Sequence, residues 1–237
     1  MSDNPPTTFL SKLLATTRKH DSLLCVGLDP QPEMMPVADV FDFNKAIIEA
    51  TKDLVCAYKP NLAFYEALGI EGMSALMKTV EYIPDDIPVI GDAKRSDIGH
   101  SAAAYAKGLF VYFGFDAVTV NPYLGYDSVS PFLEYHDKGV FLLCRTSNPG
   151  ARDFQDFQNS QGQALYQRVA LKAREWASQT SPLNSSSPIE TSPSGPLSAS
   201  GEGEQGGEVV TRKGNIGLVV GATYPEELKW VRQNCPD

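Results

Sequence analysis

The sequence has few residues of the types that build metal or disulfide sites. It contains 3 histidines and 4 cysteines among 237 residues. The histidines, His20, His100 and His136, lack metal-ligand spacing, and no two cysteines form a C-x-x-C pair. We therefore expect no zinc site. The cysteines are expected to be buried, reduced thiols of a cytoplasmic protein.

Three further absences narrow the class of protein. The formal net charge is -9 and the pI about 4.9, with no basic stripe, which disfavours nucleic-acid binding. Residues 1–8 lack a charged segment followed by an apolar one, so they do not resemble a secretory signal. Every apolar run is far shorter than a membrane span, so no membrane insertion is expected.

The chain does contain short apolar runs that alternate with helical patterns. With 42% hydrophobic residues, it is able to form one domain with a sizeable core. Strands are predicted at 23–28, 55–60, 88–94, 117–121, 140–146 and 216–220. Helices are predicted between them, among others at 43–54, 101–112 and 161–177. Repeated strand–helix units predict a parallel sheet covered by helices.

Both a doubly wound sheet and a (β/α)8 TIM-type barrel fit this alternation. No G-x-G-x-x-G motif follows the first strand. Polar or charged residues mark the ends of many strands, namely Asp29, Lys59, Asp92, Lys94, Asn121 and Thr146. Such convergence is typical of the barrel, which we therefore predict. Only about six of the eight strand–helix units are found in 1–237, which predicts a single, incomplete barrel domain.

Residues 178–214 interrupt the unit between the fifth and sixth strands. The stretch 181–207 contains 8 Ser, 5 Gly and 4 Pro and shows no apolar periodicity. This composition predicts a low-complexity, disordered insertion in a surface connection. Such an insertion costs little stability, so it is compatible with the barrel.

The most informative segment is Gly-Asp-Ala-Lys-Arg-Ser-Asp at 91–97, which follows an apolar run. Residues two apart on a strand share a face, so Asp92 and Lys94 are expected to point the same way. Asp97 lies just beyond the strand. Three charges at one strand end are costly unless they pair or take part in chemistry. This segment is therefore the main candidate for a functional site.

Residues 92–98 resemble the D-x-K-x-x-D signature of the orotidine 5'-phosphate decarboxylase family. Residues 27–30 (Gly-Leu-Asp-Pro) resemble the family's first-strand motif, and 58–61 (Tyr-Lys-Pro-Asn) its second-strand motif. Residues 120–125 (Val-Asn-Pro-Tyr-Leu-Gly) and 146–150 (Thr-Ser-Asn-Pro-Gly) resemble later strand-end motifs of its longer bacterial-type subfamily. Other enzymes on the same barrel share D-x-K-x-x-D, whereas the five motifs in order are specific.

The resemblance implies decarboxylation of orotidine 5'-monophosphate to uridine 5'-monophosphate, without a cofactor or metal, by a cytoplasmic homodimer. Lys94 would stabilise negative charge at C6 of the pyrimidine and donate the proton. Asp92 would lie near the substrate carboxylate, and Lys59 would pair with Asp92 and reach the ribose. Asp97 would enter the active site of the partner subunit. In a helix-based alternative, Asp97 caps a helix that begins near Ile98, and both roles are compatible.

The resemblance also implies three substrate-binding residues. Asp29 and Ser101 would contact the ribose, the latter across the dimer, and Ser147 would hydrogen-bond the pyrimidine edge. Asp29 precedes Pro30, and Ser147 lies in Ser-Asn-Pro-Gly, so each is also explained as a turn residue.

The match departs from the family at the C-terminus. The family continues with a P-G-I-G-A-Q-G-G-type loop and a last strand with an arginine, which both hold the substrate phosphate. Without them, we expect weakened substrate binding and activity, and open strand edges that favour aggregation. Two alternatives remain: a magnesium-dependent sugar-phosphate aldolase or decarboxylase on the same barrel, or an inactive fragment that acts through dimerisation.

Overall fold

The computed structural model describes residues 8–179 and 215–236, in which strands and helices alternate. The strands are β1 (Cys25–Leu28), β2 (Ala57–Pro60), β3 (Ile90–Arg95), β4 (Ala117–Val120), β5 (Gly139–Arg145) and β6 (Ile216–Val220). The α-helices are α1 (Phe9–His20), α2 (Val40–Thr51), α3 (Leu62–Glu66), α4 (Gly69–Tyr82), α5 (Gly99–Lys107), α6 (Tyr126–Leu133), α7 (Leu165–Gln179) and α8 (Pro225–Asn234). None of the helices described is both long and apolar enough to cross a membrane.

The six strands lie side by side in the order of the chain, and all of them are parallel. β1 pairs with β2, and β3 to β6 form a four-stranded sheet. Parallel bridges between Tyr58 and Val89 and between Asn61 and Asp92 join β2 to β3. These six parallel strands are called the wall below. A doubly wound sheet reverses its strand order at a switch point, and the wall does not, so the barrel prediction is confirmed. In the described ranges, β1 and β6 each have one strand neighbour, and the wall is open between them.

Several predicted boundaries were inexact. The predicted helix 101–112 is α5 followed by a π-helical turn at Gly108–Tyr112, and α7 begins four residues later than predicted. The predicted insertion begins too early, because residues 178 and 179 still belong to α7. The rest of it, residues 180–214, lies outside the described residues. Helix ends depend on capping and packing, which periodicity does not capture.

The cysteine prediction was correct for two positions only. All four thiols are free, and Cys56 and Cys144 are buried as expected. Cys25, however, is exposed, and Cys235 is half-buried. Cys25 begins β1, the strand that has a neighbour on one side only, which explains its exposure.

Helix α1 covers the amino-terminal end of the wall. The Phe9 ring packs edge-on against Phe141 with ring centres 5.8 Å apart, and a small cluster of Cys56, Ala57, Ile90 and Ala117 lies beneath them. A Cβ atom on Gly139 would lie 2.4 Å from the Phe9 ring, so the glycine is needed for this close approach. With this end closed by apolar packing, the carboxyl ends of the strands remain available for polar groups.

Candidate active site

Strands β2, β3 and β4 bring four polar side chains together where the strands end. Lys59 lies on β2, Asp92 and Lys94 on β3, and Thr119 on β4. Successive side chains of a strand point to opposite faces, so Lys59, Asp92 and Thr119 continue the rows that begin two residues earlier with Ala57, Ile90 and Ala117. The sequence prediction that Lys59, Asp92 and Lys94 share one site is consistent with this geometry.

Asp92 lies at the centre of the cluster. Its Oδ2 accepts hydrogen bonds from Lys94 Nζ at 2.7 Å and from Lys59 Nζ at 3.2 Å, while its Oδ1 accepts one from Thr119 Oγ1 at 2.8 Å. Asp92 is 8% exposed. This burial alone raises the pKa of Asp92. The hydrogen bonds from Lys94 and Thr119 and the charges of both lysines outweigh it, so the pKa lies below its ordinary value.

The lysine heads are more accessible than the carboxylate that joins them. The side chains of Lys59 and Lys94 are 34% and 48% exposed, against 10% for Asp92. Each ammonium therefore contacts Asp92 on one side and is accessible to solvent on the other, at the carboxyl ends of the strands. The cluster presents fixed positive charge over a buried anion, an arrangement suited to stabilising negative charge on a bound molecule.

Lys94 has an unusual backbone for a strand residue. Its φ angle is +49°, in the left-handed region that non-glycine residues rarely adopt. The pairing of β3 with β4 is shifted between Gly91 and Arg95, and the Lys94 N–H donates instead to Thr119 Oγ1 at 2.9 Å. Strained backbone of this kind persists only where its surroundings hold it, and it is concentrated at functional sites.

Asp29 follows β1 and binds the end of the neighbouring strand. Its Oδ1 accepts a hydrogen bond from the backbone N–H of Asn61 at 3.2 Å, and Asn61 itself bridges to Asp92. Asp29 therefore lies at the same rim as the charged cluster. Its bond to the Asn61 backbone joins the end of β1 to the end of β2. The second carboxylate oxygen of Asp29 forms no hydrogen bond among the described residues.

The structure does not bring Asp97, Ser101 and Ser147 into the cluster of one chain. Asp97 Oδ1 accepts from the Ile98 N–H at 2.8 Å, and within the described residues Asp97 forms no ion pair. This bond precedes the first residue of α5, where Ile98 occupies the cap position without a side-chain bond. Ser101 is exposed in the first turn of α5, and Ser147 is exposed after β5.

Two polar residues near the strand ends were missed by the sequence analysis. Thr119 was read only as part of a strand, although its spacing from Ala117 places it on the inward face. Arg145 lies within the predicted strand 140–146. Its charged side chain is buried, only 1% exposed, and its Nη2 lies 2.9 Å from Asp156 Oδ1. No sequence signal identified Arg145, because its partners follow two different strands, Asp156 after β5 and Tyr224 after β6.

A second group of polar bonds shapes the loop after β5. Gln155 Oε1 accepts from the Thr146 N–H at 2.9 Å, and Gln155 Nε2 donates to Thr146 Oγ1 at 2.8 Å. A cleft of about 560 Å³ lies beside this pair, and Asn121, Tyr123 and Phe154 are among its other lining residues. The side chain of Gln155 thus holds the loop that carries Ser147 against the end of its own strand.

Known proteins resemble this chain over nearly its whole length. A family model described as "Orotidine 5'-phosphate decarboxylase / HUMPS family" matches residues 22–234. An orotidine 5'-phosphate decarboxylase of Herpetosiphon aurantiacus is 48% identical over 236 residues, which cover 97% of this chain and 76% of the relative. One from Thermomicrobium roseum is 46% identical over 237 residues, with 97% and 73% covered. The structure of Leishmania donovani OMP decarboxylase, 37% identical, superposes with a TM-score of 0.77 and covers 97% of this chain and 77% of that one.

Proposed function

The chain belongs to the orotidine 5'-phosphate decarboxylase family, and we infer that it converts orotidine 5'-monophosphate into uridine 5'-monophosphate, a step of pyrimidine biosynthesis. The observation that carries this function is the buried Asp92 carboxylate between Lys59 and Lys94 at the open end of the wall. The match to relatives of the same name extends across the strands that carry these residues.

Lys94 is the proposed proton donor. When the bond between C6 and the carboxylate carbon breaks, CO2 leaves and the bonding electron pair stays on C6. The Lys94 ammonium stabilises this charge and transfers one proton from Nζ to C6, after which the amine regains a proton from solvent. The role fits the 48% exposure of the Lys94 side chain, because the ammonium is accessible to a ligand above the cluster.

Asp92 has two proposed roles. It holds both lysines in place, and it raises the energy of the bound substrate by facing the substrate carboxylate with a like charge. So difficult a decarboxylation demands a barrier reduction of roughly 20 kcal/mol or more. One positioned hydrogen bond supplies about 3–4 kcal/mol, so charge and binding energy from remote groups share the work.

The remaining site residues are proposed to bind the rest of the substrate. Lys59 and Asp29 are assigned to the ribose, which fits their positions at the neighbouring ends of β2 and β1. Ser147 is assigned to the pyrimidine edge, because it is exposed on the loop after β5. Gly221 supports this loop, since a Cβ atom there would lie 3.0 Å from Ser147 Cβ.

We further propose that the active enzyme is a homodimer in which Asp97 and Ser101 enter the partner's site. Asp97 is half-buried beside α5 and has no ion-pair partner among the described residues. The same segment exposes apolar side chains, with Ile98 59% and Tyr112 67% exposed. Burial of such side chains between two copies would stabilise the dimer. It would also deliver a carboxylate to the lysines of the other chain.

We also propose that the chain forms a single domain and that it is located in the cytoplasm. One family model matches residues 22–234, which supports treatment of 1–237 as one domain. The free thiols of Cys56 and Cys144, both buried, are typical of proteins in a reducing compartment.

The test is formation of uridine 5'-monophosphate from orotidine 5'-monophosphate by the full chain, measured with EDTA present. We expect turnover that EDTA does not affect and that falls by about 10³-fold or more in Lys94→Ala. Lys172→Ala is the matched control, because Lys172 forms an exposed ion pair with Glu175 on α7. Activity abolished by EDTA would favour the magnesium-dependent alternative, and equal activity in Lys94→Ala would reject the assignment.

A further inference from the structure

Thr119 is a neutral side chain in the charged cluster, and it bonds to both Asp92 and Lys94 of β3. It is 4% exposed on β4. Its Oγ1 donates a hydrogen bond to Asp92 Oδ1 at 2.8 Å and accepts one from the Lys94 N–H at 2.9 Å. One hydroxyl thus links the carboxylate of Asp92 to the main chain of Lys94.

The first of these bonds determines how the carboxylate is oriented. With Oδ1 bound to Thr119, Oδ2 is left to receive both Lys94 and Lys59, and it does so at 2.7 and 3.2 Å. The torsion that rotates a carboxylate is broad and has no sharp staggered minima. Without the Thr119 hydroxyl, the carboxylate can rotate and offer one oxygen to each lysine, which draws the ammonium groups apart.

The second bond holds the main chain of Lys94. The shift in β3–β4 pairing between Gly91 and Arg95 removes the ladder partner of the Lys94 N–H, and its φ of +49° is costly for a residue with a Cβ. An amide that is partly withdrawn from water, as the Lys94 N–H is, is also costly to leave without a partner. The Thr119 hydroxyl satisfies this amide in the left-handed conformation, and that conformation determines the direction of the lysine side chain.

The side chain of threonine is suited to this task. Its branched Cβ restricts rotation about χ1, so Oγ1 is held in one direction even before it bonds. Its methyl group remains available for packing on a buried strand. A hydroxyl that both donates and accepts is required, since the carboxylate can only accept and the amide can only donate.

We propose that Thr119 is a positioning residue for the decarboxylation, which orients Asp92 and the backbone of Lys94 so that the lysine ammonium meets C6. The proposal rests on the proposed function. Thr119 acts through its two neighbours and needs no contact with the substrate.

The experiment compares Thr119→Val, which keeps the shape and removes the hydroxyl, with Thr119→Ser, which keeps the hydroxyl. We expect Thr119→Val to lower kcat by about 10- to 100-fold with a smaller change in KM. Thr119→Ser should stay within about threefold of the parent chain, because the hydroxyl performs the positioning. Thr79→Val is the matched control, since Thr79 is equally buried but bonds to Asn44 and Ala75, away from the cluster.

A second readout does not depend on turnover. The carboxyl carbon of Asp92 is titrated by NMR in each full-length variant, with thermal melts to check folding. The hydrogen bond from Thr119 contributes to the lowered pKa of Asp92, so its loss should raise that pKa in Thr119→Val only. Lys94 and Lys59 are the charged groups that bond to this carboxylate, and the Cys25 thiol, whose pKa is raised to about 11, carries no charge in the acid range.

The outcomes separate this proposal from the proposed function. If the parent chain shows no decarboxylation, the function fails, and the titration still decides whether Thr119 orients Asp92. If Thr119→Val leaves both kcat and the Asp92 titration unchanged, the positioning role is rejected. If Thr119→Ser loses activity while Thr119→Val keeps that of the parent chain, the methyl group and its packing are responsible, and the hydroxyl role is likewise rejected.

Discussion

The Lys94 ammonium lies 2.7 Å from the Asp92 carboxylate, two residues away on the same strand. In a regular strand, side chains at this spacing point the same way but stand about 7 Å apart at their roots. The left-handed backbone of Lys94, with φ of +49°, departs from that regular path at the point where the ion pair forms. A local irregularity of the strand and the central ion pair of the site therefore coincide.

The lowered pKa of Asp92 makes part of the stability depend on pH. Its carboxylate is stabilised by folding, so this contribution is complete above the unfolded pKa of about 3.9 and is lost as the pH falls through the lower folded value. We expect the free energy of unfolding of the parent chain to decrease below about pH 4 more steeply than that of Asp92→Asn. Urea unfolding between pH 6 and pH 3 measures this difference. Parallel pH curves for the two chains would contradict it.

The convergence of strand ends at one rim of a parallel sheet, together with the family resemblance, was sufficient to place Lys59, Asp92 and Lys94 together. The regular alternation of faces that was expected to align Lys94 with Asp92 is not what aligns them, because Lys94 has a left-handed backbone. The sequence was not sufficient for Thr119. A threonine within Ala-Val-Thr-Val is ordinary for a strand, and its bonds depend on the shifted register between Gly91 and Arg95. Register shifts arise from packing between elements, which a local pattern does not contain.

Arg145 illustrates the same limit. Its guanidinium lies 4.0 Å from the Tyr224 ring centre and is bound by Asp156, and these two residues belong to loops after different strands. Only the folded chain brings them together. Asp97 and Ser101 show a different limit, because the role proposed for them requires a second copy of the chain.

Arg145 also leads to a prediction about stability. Its side chain is 1% exposed, and Nε and Nη1 have no hydrogen-bond partner in the part of the chain that the structure describes. Asp156→Ala leaves this buried charge without its nearest anion, and we expect a loss of about 1–3 kcal/mol in the free energy of unfolding. Arg145→Met removes the charge itself and should lie within about 1 kcal/mol of the parent chain. Urea unfolding of the parent chain and both variants measures which substitution lowers the free energy of unfolding more.

Asp153→Ala is the control for this pair. Asp153 ends the 3-10 segment Pro149–Asp153 in the same loop, is exposed and forms no ion pair among the described residues. It should change the free energy of unfolding by less than about 0.5 kcal/mol. A larger loss for Arg145→Met than for Asp156→Ala would show that the guanidinium stabilises the fold despite its unpaired donors.

The close contact at Gly91 gives a prediction about packing in β3. A Cβ atom there would lie 2.6 Å from the buried Phe115 ring. We expect Gly91→Ala to destabilise the chain by about 1–3 kcal/mol and Phe115→Leu to relieve part of this loss in the double variant. Gly108→Ala is the control, because that position has open space and a helical φ of -58°. Thermal melts in which Gly91→Ala and Gly108→Ala have the same melting temperature would contradict this account.

The proposed sharing of Asp97 between subunits is tested by mixing two inactive variants. In a Lys94→Ala homodimer every site lacks its proton donor, and in an Asp97→Ala homodimer every site lacks the partner's carboxylate. A mixed dimer contains one site with both defects and one site with neither, so we expect activity to return on mixing. Native mass spectrometry confirms that mixed dimers form, and Ser101→Ala in place of Asp97→Ala tests the second shared residue. If Asp97 acts within its own chain, each site of the mixed dimer retains one defect, and the mixture stays as inactive as its parents. Mixed dimers without recovered activity would therefore return Asp97 to its local role beside Ile98, whose N–H it binds at 2.8 Å.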